Sequence, residues 1–361
     1  MAGEFARSAG VDWRPLVWSG LKPKSGVSAA ARRARHALIA DAAREAGAKV
    51  VLMAHTRDDL REAEVMRGQG SNVGFPRAWA PSPAWPEGRR LCLLRPMLGL
   101  GRAELRAWLG PHAQFIDDPA NVDPRSARAR ARQALRTQPE AANEPERFDL
   151  ASAVLANLAR SVEAGACGAL VIPQEVLGAP EAPRLLARAL ACASGSRRAP
   201  RADAVTRLLE RALGGDVFAA TLAGARVETS DATAALMIVR DAGEAGRRRM
   251  QPVPIRAGET VVFDGRFEIA LQEAGQIALA AGRQAQLSRS DRKSLQAFAP
   301  AVRACQPVFI GEGGHGPRLA ATAGEVSCLV AGRFRAACGL IAHEAEIAVT
   351  SRGEGSFRRL S

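Results

Sequence analysis

Apolar and polar positions fall into three textures along the chain. Up to about Arg136, short apolar runs alternate with Ala- and Arg-rich stretches of helical period. Lys49 to Ala54 has the apolar density of a buried strand, and Arg14 to Trp18, Leu91 to Leu94 and Gln114 to Ile116 read as further strands. Between them, Ser28 to Ala46 predicts a helix with Ser28 as N-cap and Gly47 just past its end. Arg57 to Arg67 predicts a second, stopped by Gly68, and Arg102 to Leu109 a third. Such alternation is the signature of an α/β fold built on a parallel sheet. Pro76, Pro81, Pro83 and Pro86 predict that Phe75 to Gly88 is an irregular loop.

From Pro139 to about Gly246 the pattern is mainly helical: Leu150, Val154, Leu155 and Leu158 share one helical face, as do Leu208, Leu209 and Leu213. Two strand-like runs, Val217 to Glu228 and Ala234 to Arg240, close this stretch, and the polar run Glu244 to Arg249 reads as a linker. Beyond Pro252 the runs shorten and glycines multiply. Thr260 to Phe263 and Arg266 to Leu271 flank Asp264-Gly265, a two-residue turn signal for a hairpin. The expected division is therefore residues 1–136 as an α/β domain, 137–246 as a helical linker or substrate domain, and 247–361 as a small β-containing domain.

Composition narrows the class. The 361 residues are 47% hydrophobic, and no apolar run approaches the ~18 residues of a membrane span, so a membrane protein is not expected. A formal net charge of +13, nearly all of the excess Arg, creates a field that attracts polyanions. A high-GC genome that writes Arg and Ala into soluble surfaces explains part of it, a bias to which the abundance of Ala and the absence of Tyr point. Cys92, Cys167, Cys192, Cys305, Cys328 and Cys338 form no CxxC pair and no metal-ligand spacing with the five histidines; they read as buried thiols of a cytoplasmic protein, with no metal-binding residues assigned. No apolar core of a signal peptide follows Met1.

Chemistry concentrates in Val50 to Glu62. His55 follows the predicted strand and so sits at the carboxyl edge of the sheet, where open α/β folds bind ligands. Glu62 follows Asp58 by four residues and Asp59 by three along the first turns of the next helix, a carboxylate cluster suited to an ammonium group or a metal. Against this stands a structural reading, since Thr56-x-x-Asp59 is a capping-box pattern and acidic first turns suit the helix dipole. Glu62 and His55 are not explained by capping, and they tip the reading towards a site.

His55-x-x-Asp58-Asp59-x-x-Glu62 is followed in order by Arg67-Gly68-Gln69-Gly70, Arg95-Pro96-Met97-Leu98, Arg102-x-Glu104-Leu105, Asp117-Asp118-Pro119-x-Asn121-x-Asp123 and Arg128-x-Arg130-x-Arg132. Over Trp13 to Leu135 this ordered set resembles the tRNA(Ile)-lysidine synthases, members of the ATP-pyrophosphatase superfamily. The resemblance implies an incomplete doubly wound parallel sheet of the adenine nucleotide alpha hydrolase type. It also implies a two-step reaction: ATP, with Mg²⁺, adenylates the C2 oxygen of the wobble cytidine in a CAU-anticodon tRNA(Ile), and the ε-amine of free L-lysine then displaces AMP. By the same resemblance Asp58 and Asp59 are catalytic, Asp59, Glu62 and Arg132 bind lysine, and His55, Arg67, Arg95, Arg128 and Arg130 bind nucleotide or RNA. Because Arg128, Arg130 and Arg132 alternate, they are expected in a loop or at a helix start rather than along one helical face. Trp79 and Trp85 read either as base-stacking residues or, the favoured reading, as anchors of the proline-rich loop.

The sequence also departs from the family. No Ser-Gly-Gly-x-Asp-Ser phosphate loop occurs in the 361 residues, and Leu60, Ala63 and Ala129 replace residues usually polar. The chain as it stands is therefore expected to ligate weakly or not at all, from a truncated gene or a misassigned start. Two alternatives accompany the leading expectation: a non-catalytic tRNA-binding remnant, and another tRNA-modifying ATP-pyrophosphatase such as a thiolase, which the lack of cysteine pairs disfavours.

Overall fold

A computed structural model describes residues 2–340 apart from 112–121, 137–152, 197–199, 230–234, 248–249 and positions 25, 72, 75, 83, 166, 216 and 315. The first part runs α1 (Ala2–Ser8), α2 (Val27–Glu45), β1 (Val50–Leu52), α3 (Arg57–Gly68), β2 (Trp79–Pro81), β3 (Cys92–Leu94), α4 (Arg102–Leu109) and α5 (Ala127–Leu135). Gly26, not Ser28, caps α2, at a φ of 67° that glycine enters without a Cβ penalty. The strands form one small sheet in the order β1-β3-β2. β1 runs parallel to β3, with Val51 opposite Leu93, and β2 antiparallel, with Trp79 opposite Leu94. Of the expected doubly wound parallel sheet, the described residues form a single parallel pair with an antiparallel strand beside it.

Three expectations need correction here. Arg14 to Trp18 forms no ladder; it lies extended against α2, where Arg14 bonds Glu45 at 2.5 Å and Leu16 and Trp18 help line a cavity of about 340 Å³ with Arg35, Leu38 and Ile39. β1 is not a buried strand: Val50 is 44% and Leu52 66% exposed, because β3 is its only ladder partner among the described residues. Finally, the proline-rich loop does contain a strand, β2. It lies at the sheet's other edge, the one place a ladder tolerates proline. The predicted strand at Gln114 to Ile116 lies outside the described residues.

The middle stretch continues with α6 (residues 153–160), β4 (Glu163–Ala164), β5 (Leu170–Ile172), α7 (Gln174–Leu177), α8 (Ala182–Ala193), α9 (Ala202–Leu213), β6 (Ala219–Leu222), β7 (Ala225–Thr229), β8 (Leu236–Arg240) and α10 (Ala242–Arg247). It is less helical than expected, for it carries a five-stranded antiparallel sheet in the order β4-β5-β8-β7-β6. Leu185, Leu186 and Leu190 of α8 pack with Leu170, Ile172 and Ile238 from this sheet, all fully buried. Each such side chain contributes about 1.5–3 kcal/mol. On α9, Val205, Leu208, Leu209 and Ala212 form the buried face, whereas Leu213 is exposed. Residues 244–247 of the expected linker belong to α10, which Glu244 ties back to Arg240 at 2.9 Å, and residues 248–249 lie outside the described residues.

The last stretch comprises β9 (Val253–Ile255), β10 (Thr260–Phe263), β11 (Phe267–Ala270), β12 (Gly275–Leu279), α11 (Arg289–Gln296), α12 (Pro300–Arg303), β13 (Pro307–Gly311), β14 (Arg318–Leu319), α13 (Ala320–Ala323), β15 (Glu325–Cys328) and α14 (Val330–Cys338). Its strands make two antiparallel sheets, β10-β11-β15 and β14-β13-β12-β9. Asp264 and Gly265, both at positive φ, form the tight turn between β10 and β11. Phe263, Phe267, Ile269, Ile277 and Phe309 fill a core of their own. α14 returns to the middle stretch and gives Val330 and Phe334 to its core. None of the six cysteines forms a disulfide; Cys92, Cys192, Cys305 and Cys338 are buried as expected, while Cys167 and Cys328 are only half-buried.

Candidate active site

β1 delivers the chain to His55 and α3 starts two residues later. Thr56 is its N-cap: the Thr56 backbone N–H donates to Asp59 Oδ2 at 2.8 Å, and Thr56 Oγ1 to the same oxygen at 3.2 Å. The capping reading of Asp59 is therefore real, but it occupies one oxygen only. Asp59 Oδ1 faces Arg128 Nη2 at 3.6 Å, an ion pair longer than a hydrogen bond.

Asp58 turns the other way. Its Oδ2 accepts the backbone N–H of Arg102 at 2.7 Å and so joins the start of α4 to the start of α3. Arg57 and Glu104 repeat the link at 2.6 Å, and Glu104 also accepts the Gly101 N–H. These bonds hold Glu104 below the usual carboxylate range, the Gly101 N–H contributing most and Arg57 next.

Glu62 is 1% exposed and encircled by arginines. Arg132 Nε donates to Oε1 at 2.8 Å, Arg102 Nη2 to the same oxygen at 3.4 Å, and Arg128 Nε lies 3.2 Å from Oε2, though not aligned as a hydrogen bond. The alternating arginines start in the first turn of a regular helix, α5, capped by Ser126, so of the loop or helix start expected here it is the helix start that is found. Arg128 and Arg132, four residues apart, share the face towards α3. Arg130 falls on another and donates to the carbonyls of Pro124 and Arg125. Glu62, expected to bind lysine, is thus faced by three guanidiniums in the protein itself, and Arg130, expected to bind nucleotide or RNA, lies on another face of α5 from this cluster.

His55 and Arg95 do come together, Arg95 Nε donating to His55 Nδ1 at 3.3 Å in a buried contact. Burial first, then Arg95, Arg32 and Arg128 against the opposing pull of Asp59, lower the His55 pKa to about 4. His36, on α2, is likewise lowered to about 4 by burial and then by Arg32, Arg35, Arg95 and His55, and its Nε2 is buried with no hydrogen-bond partner. Arg95 falls to about 10, through burial and then Arg32 and Arg77. Two neutral imidazoles and several crowded guanidiniums therefore surround one carboxylate, Asp59. Such a place favours an anionic guest.

Arg32, His36 and Arg102 were not among the residues singled out in the sequence. Arg32, His36 and Ala40 recur every four residues along α2, and that spacing was the available signal. Arg67 is not part of the cluster; at the far end of α3 its charged neighbours are Arg184, Glu181, Arg188 and Glu64. Asp117, Asp118 and Asn121 lie outside the described residues. Trp85 anchors its loop as expected, donating from Nε1 to the Gly265 carbonyl at 2.9 Å.

A strand leading into a capped helix, with an acidic residue at its start and a basic wall facing it, lies where open α/β folds bind their ligands. In agreement, residues 7–138 match the PP-loop domain family. More particularly, the chain is 45% identical to the tRNA(Ile)-lysidine synthase of Caulobacter vibrioides over 94% of its own length and 81% of that protein. It is 32% identical to the enzyme of the same name from Brucella anthropi, over 78% of the chain and 66% of the relative. A Bradyrhizobium tRNA(Ile)-lysidine synthase is 42% identical over 45% of the chain and 44% of that relative. The chain belongs to the tRNA(Ile)-lysidine synthase family.

Proposed function

We propose that the protein acts as a tRNA(Ile)-lysidine synthase: ATP activates the C2 oxygen of the wobble cytidine of a CAU-anticodon tRNA, and L-lysine displaces AMP to give lysidine. The observation that carries this reading is the placement of Asp59 beside His55, Arg95, Arg128 and Arg32 at the carboxyl end of β1, in a chain of this family. Arg95, Arg128 and Arg32 supply positive charge for the nucleotide's phosphates, and His55 and His36, neutral at pH 7, can donate or accept a hydrogen bond without adding charge. Mg²⁺ suits a place on the phosphates, because among the described residues no three His, Cys, Asp or Glu side chains converge.

Asp59 is assigned to the lysine ammonium, with Oδ2 held by Thr56 and Oδ1 left with only the long contact to Arg128. There the carboxylate both orients the amine and takes up a proton as the amine attacks. Glu62 is assigned a positioning role, holding Arg128 and Arg132 towards that point, and Asp58 fixes α4 against α3. The phosphate-cradling Ser-Gly-Gly-x-Asp-Ser run is not among these 361 residues, so ligation by these residues alone is expected to be weak. We further assign residues 1–136, 137–246 and 247–361 to three domains, of which the first carries the chemistry.

The test is incorporation of labelled lysine into unmodified CAU tRNA(Ile) under single-turnover conditions, with ATP. Asp59→Asn removes a charge-assisted contact of about 1.5–3 kcal/mol, and should raise the lysine concentration for half-maximal rate roughly tenfold to a hundredfold. Unchanged lysine dependence in that variant sinks the assignment.

A further inference from the structure

Arg67 leaves the cluster around Asp59 and joins a second group of cations. Eight residues along α3 from Asp59, or about 12 Å at the helical rise, it is crowded by Arg184 and Arg188 of α8, and its pKa is lowered by burial first and then by Arg184. Arg77 is lowered in the same way, by burial and then by Arg188. Arg77, Arg184 and Arg188 also all bear on the buried Cys338 thiol.

Arg184 and Arg188 stand one turn apart on α8 and the Arg188 guanidinium reaches Gly74, three residues before Arg77, so the four guanidiniums gather where the end of α3, the segment before β2 and one face of α8 approach. The carboxylates paired with or acting on them are Glu181, which Arg184 bonds at 2.7 Å, and Glu64. Arg184 and Arg188 stand at i and i+4, where like charges repel.

Structural duties explain part of this group but not all of it. Arg77 donates to the Ala336 carbonyl of α14 at 3.1 Å, and Arg184 pairs with Glu181. Arg188 lies over the backbone at Gly74 and has, among the described residues, no ion pair to a carboxylate. A half-buried arginine set among three others raises the energy of the free protein, and a guest with several negative charges removes that cost. Guanidiniums held in a fixed array suit phosphates, which they can bond with two parallel N–H groups.

We infer that Arg67, Arg77, Arg184 and Arg188 form a second basic site that grips the phosphodiester backbone of the RNA substrate, remote from the reacting cytidine. This rests on the function proposed above, since it takes the bound RNA to be that reaction's substrate. Contacts to phosphate position a nucleic acid without reading its sequence, so the site contributes affinity rather than choice of anticodon.

The test measures binding of unmodified CAU tRNA(Ile) to the full chain between 50 and 200 mM salt, for the parent, Arg188→Gln, Arg184→Gln and Arg188→Lys. Losing one phosphate contact should weaken binding roughly five- to tenfold near 0.1 M salt and reduce the logarithmic salt slope by about one. Arg188→Lys should keep most of the slope, and thermal midpoints that stay at the parent's value show that the fold is intact. A parent that binds while both glutamine variants match it in affinity and slope overturns the second site alone. A parent without measurable affinity for the tRNA overturns the proposed function and the second site with it.

Discussion

Glu62 is an acidic side chain beyond the first turn of α3, where the helix dipole offers it little, yet it is among the most buried polar residues of the chain. Its charge is tolerated because Arg132, Arg102 and Arg128 approach from two other helices. Replacing it with Ala leaves three guanidiniums facing one another across a closed gap, and should cost about 1.5–3 kcal/mol in urea unfolding. Glu62→Asp should recover part of this, and an unchanged midpoint for Glu62→Ala would deny the carboxylate its organising role. The two histidines make a prediction with a definite sign. Their folded values, about 4, lie below the ordinary 6.5, so between those limits the unfolded chain binds protons that the folded chain does not. Their contribution to stability is full above pH 6.5 and is lost as pH falls from there to 4. Urea midpoints over this window should fall accordingly, and His36→Gln should flatten the slope; equal slopes in parent and variant would mean that His36 titrates normally.

Among the elements, β1 is the one whose surroundings differ most from what its composition predicts. Val-Val-Leu at its centre reads as a strand enclosed on both sides, but its outer edge has no ladder partner among the described residues and two of its three side chains are substantially exposed. An open edge beside an apolar face invites association. The full chain should show an apparent mass that rises with concentration in sedimentation, and Leu52→Lys should suppress that rise while moving the thermal midpoint little. A parent of constant mass would rule this out. The elements that the sequence made legible carry their own local signals: Thr56 and Asp59 mark the start of α3, Gly101 and Glu104 that of α4, and Asp264-Gly265 the β10–β11 turn. Those it hid depend on distant partners. β2 exists only because β3 offers an edge, β5 is three residues long and too short for any period, and the arginines around Glu62 come from 40 to 70 residues away. His55, Asp59 and Arg95 were legible as candidates for one site, whereas for Arg32 and His36 the four-residue spacing with Ala40 marks a face of α2 and only packing shows that this face turns inward.

At the scale of the whole molecule, the three stretches are joined by polar side chains buried between them. Arg77 bonds Ala336, Trp85 bonds Gly265 and Arg89 pairs with Glu268, so the proline-rich loop fastens the first stretch to the last. The middle and last stretches meet at Asp264. Its Oδ2 accepts from Arg240 Nε and from Arg266 Nε, each at 3.0 Å; Arg240 also reaches Gly224 and Glu244, and Arg266 the Cys305 carbonyl. Arg266 is 1% exposed, so its charge is compatible with the fold only with the Asp264 carboxylate beside it. Removing a single partner of such a buried pair costs about 3–5 kcal/mol, more than any surface substitution. Asp264 also sits at a φ of 50°, so alanine would confound strain with lost charge, whereas asparagine tolerates that backbone. Asp264→Asn should therefore destabilise by several kcal/mol and, because its bond to Arg240 joins the middle and last stretches, split thermal unfolding into two transitions where the parent shows one. A cooperative melt of Asp264→Asn at the parent's temperature would show that the apolar contacts of α14 with the middle core hold the stretches together without this arginine pair.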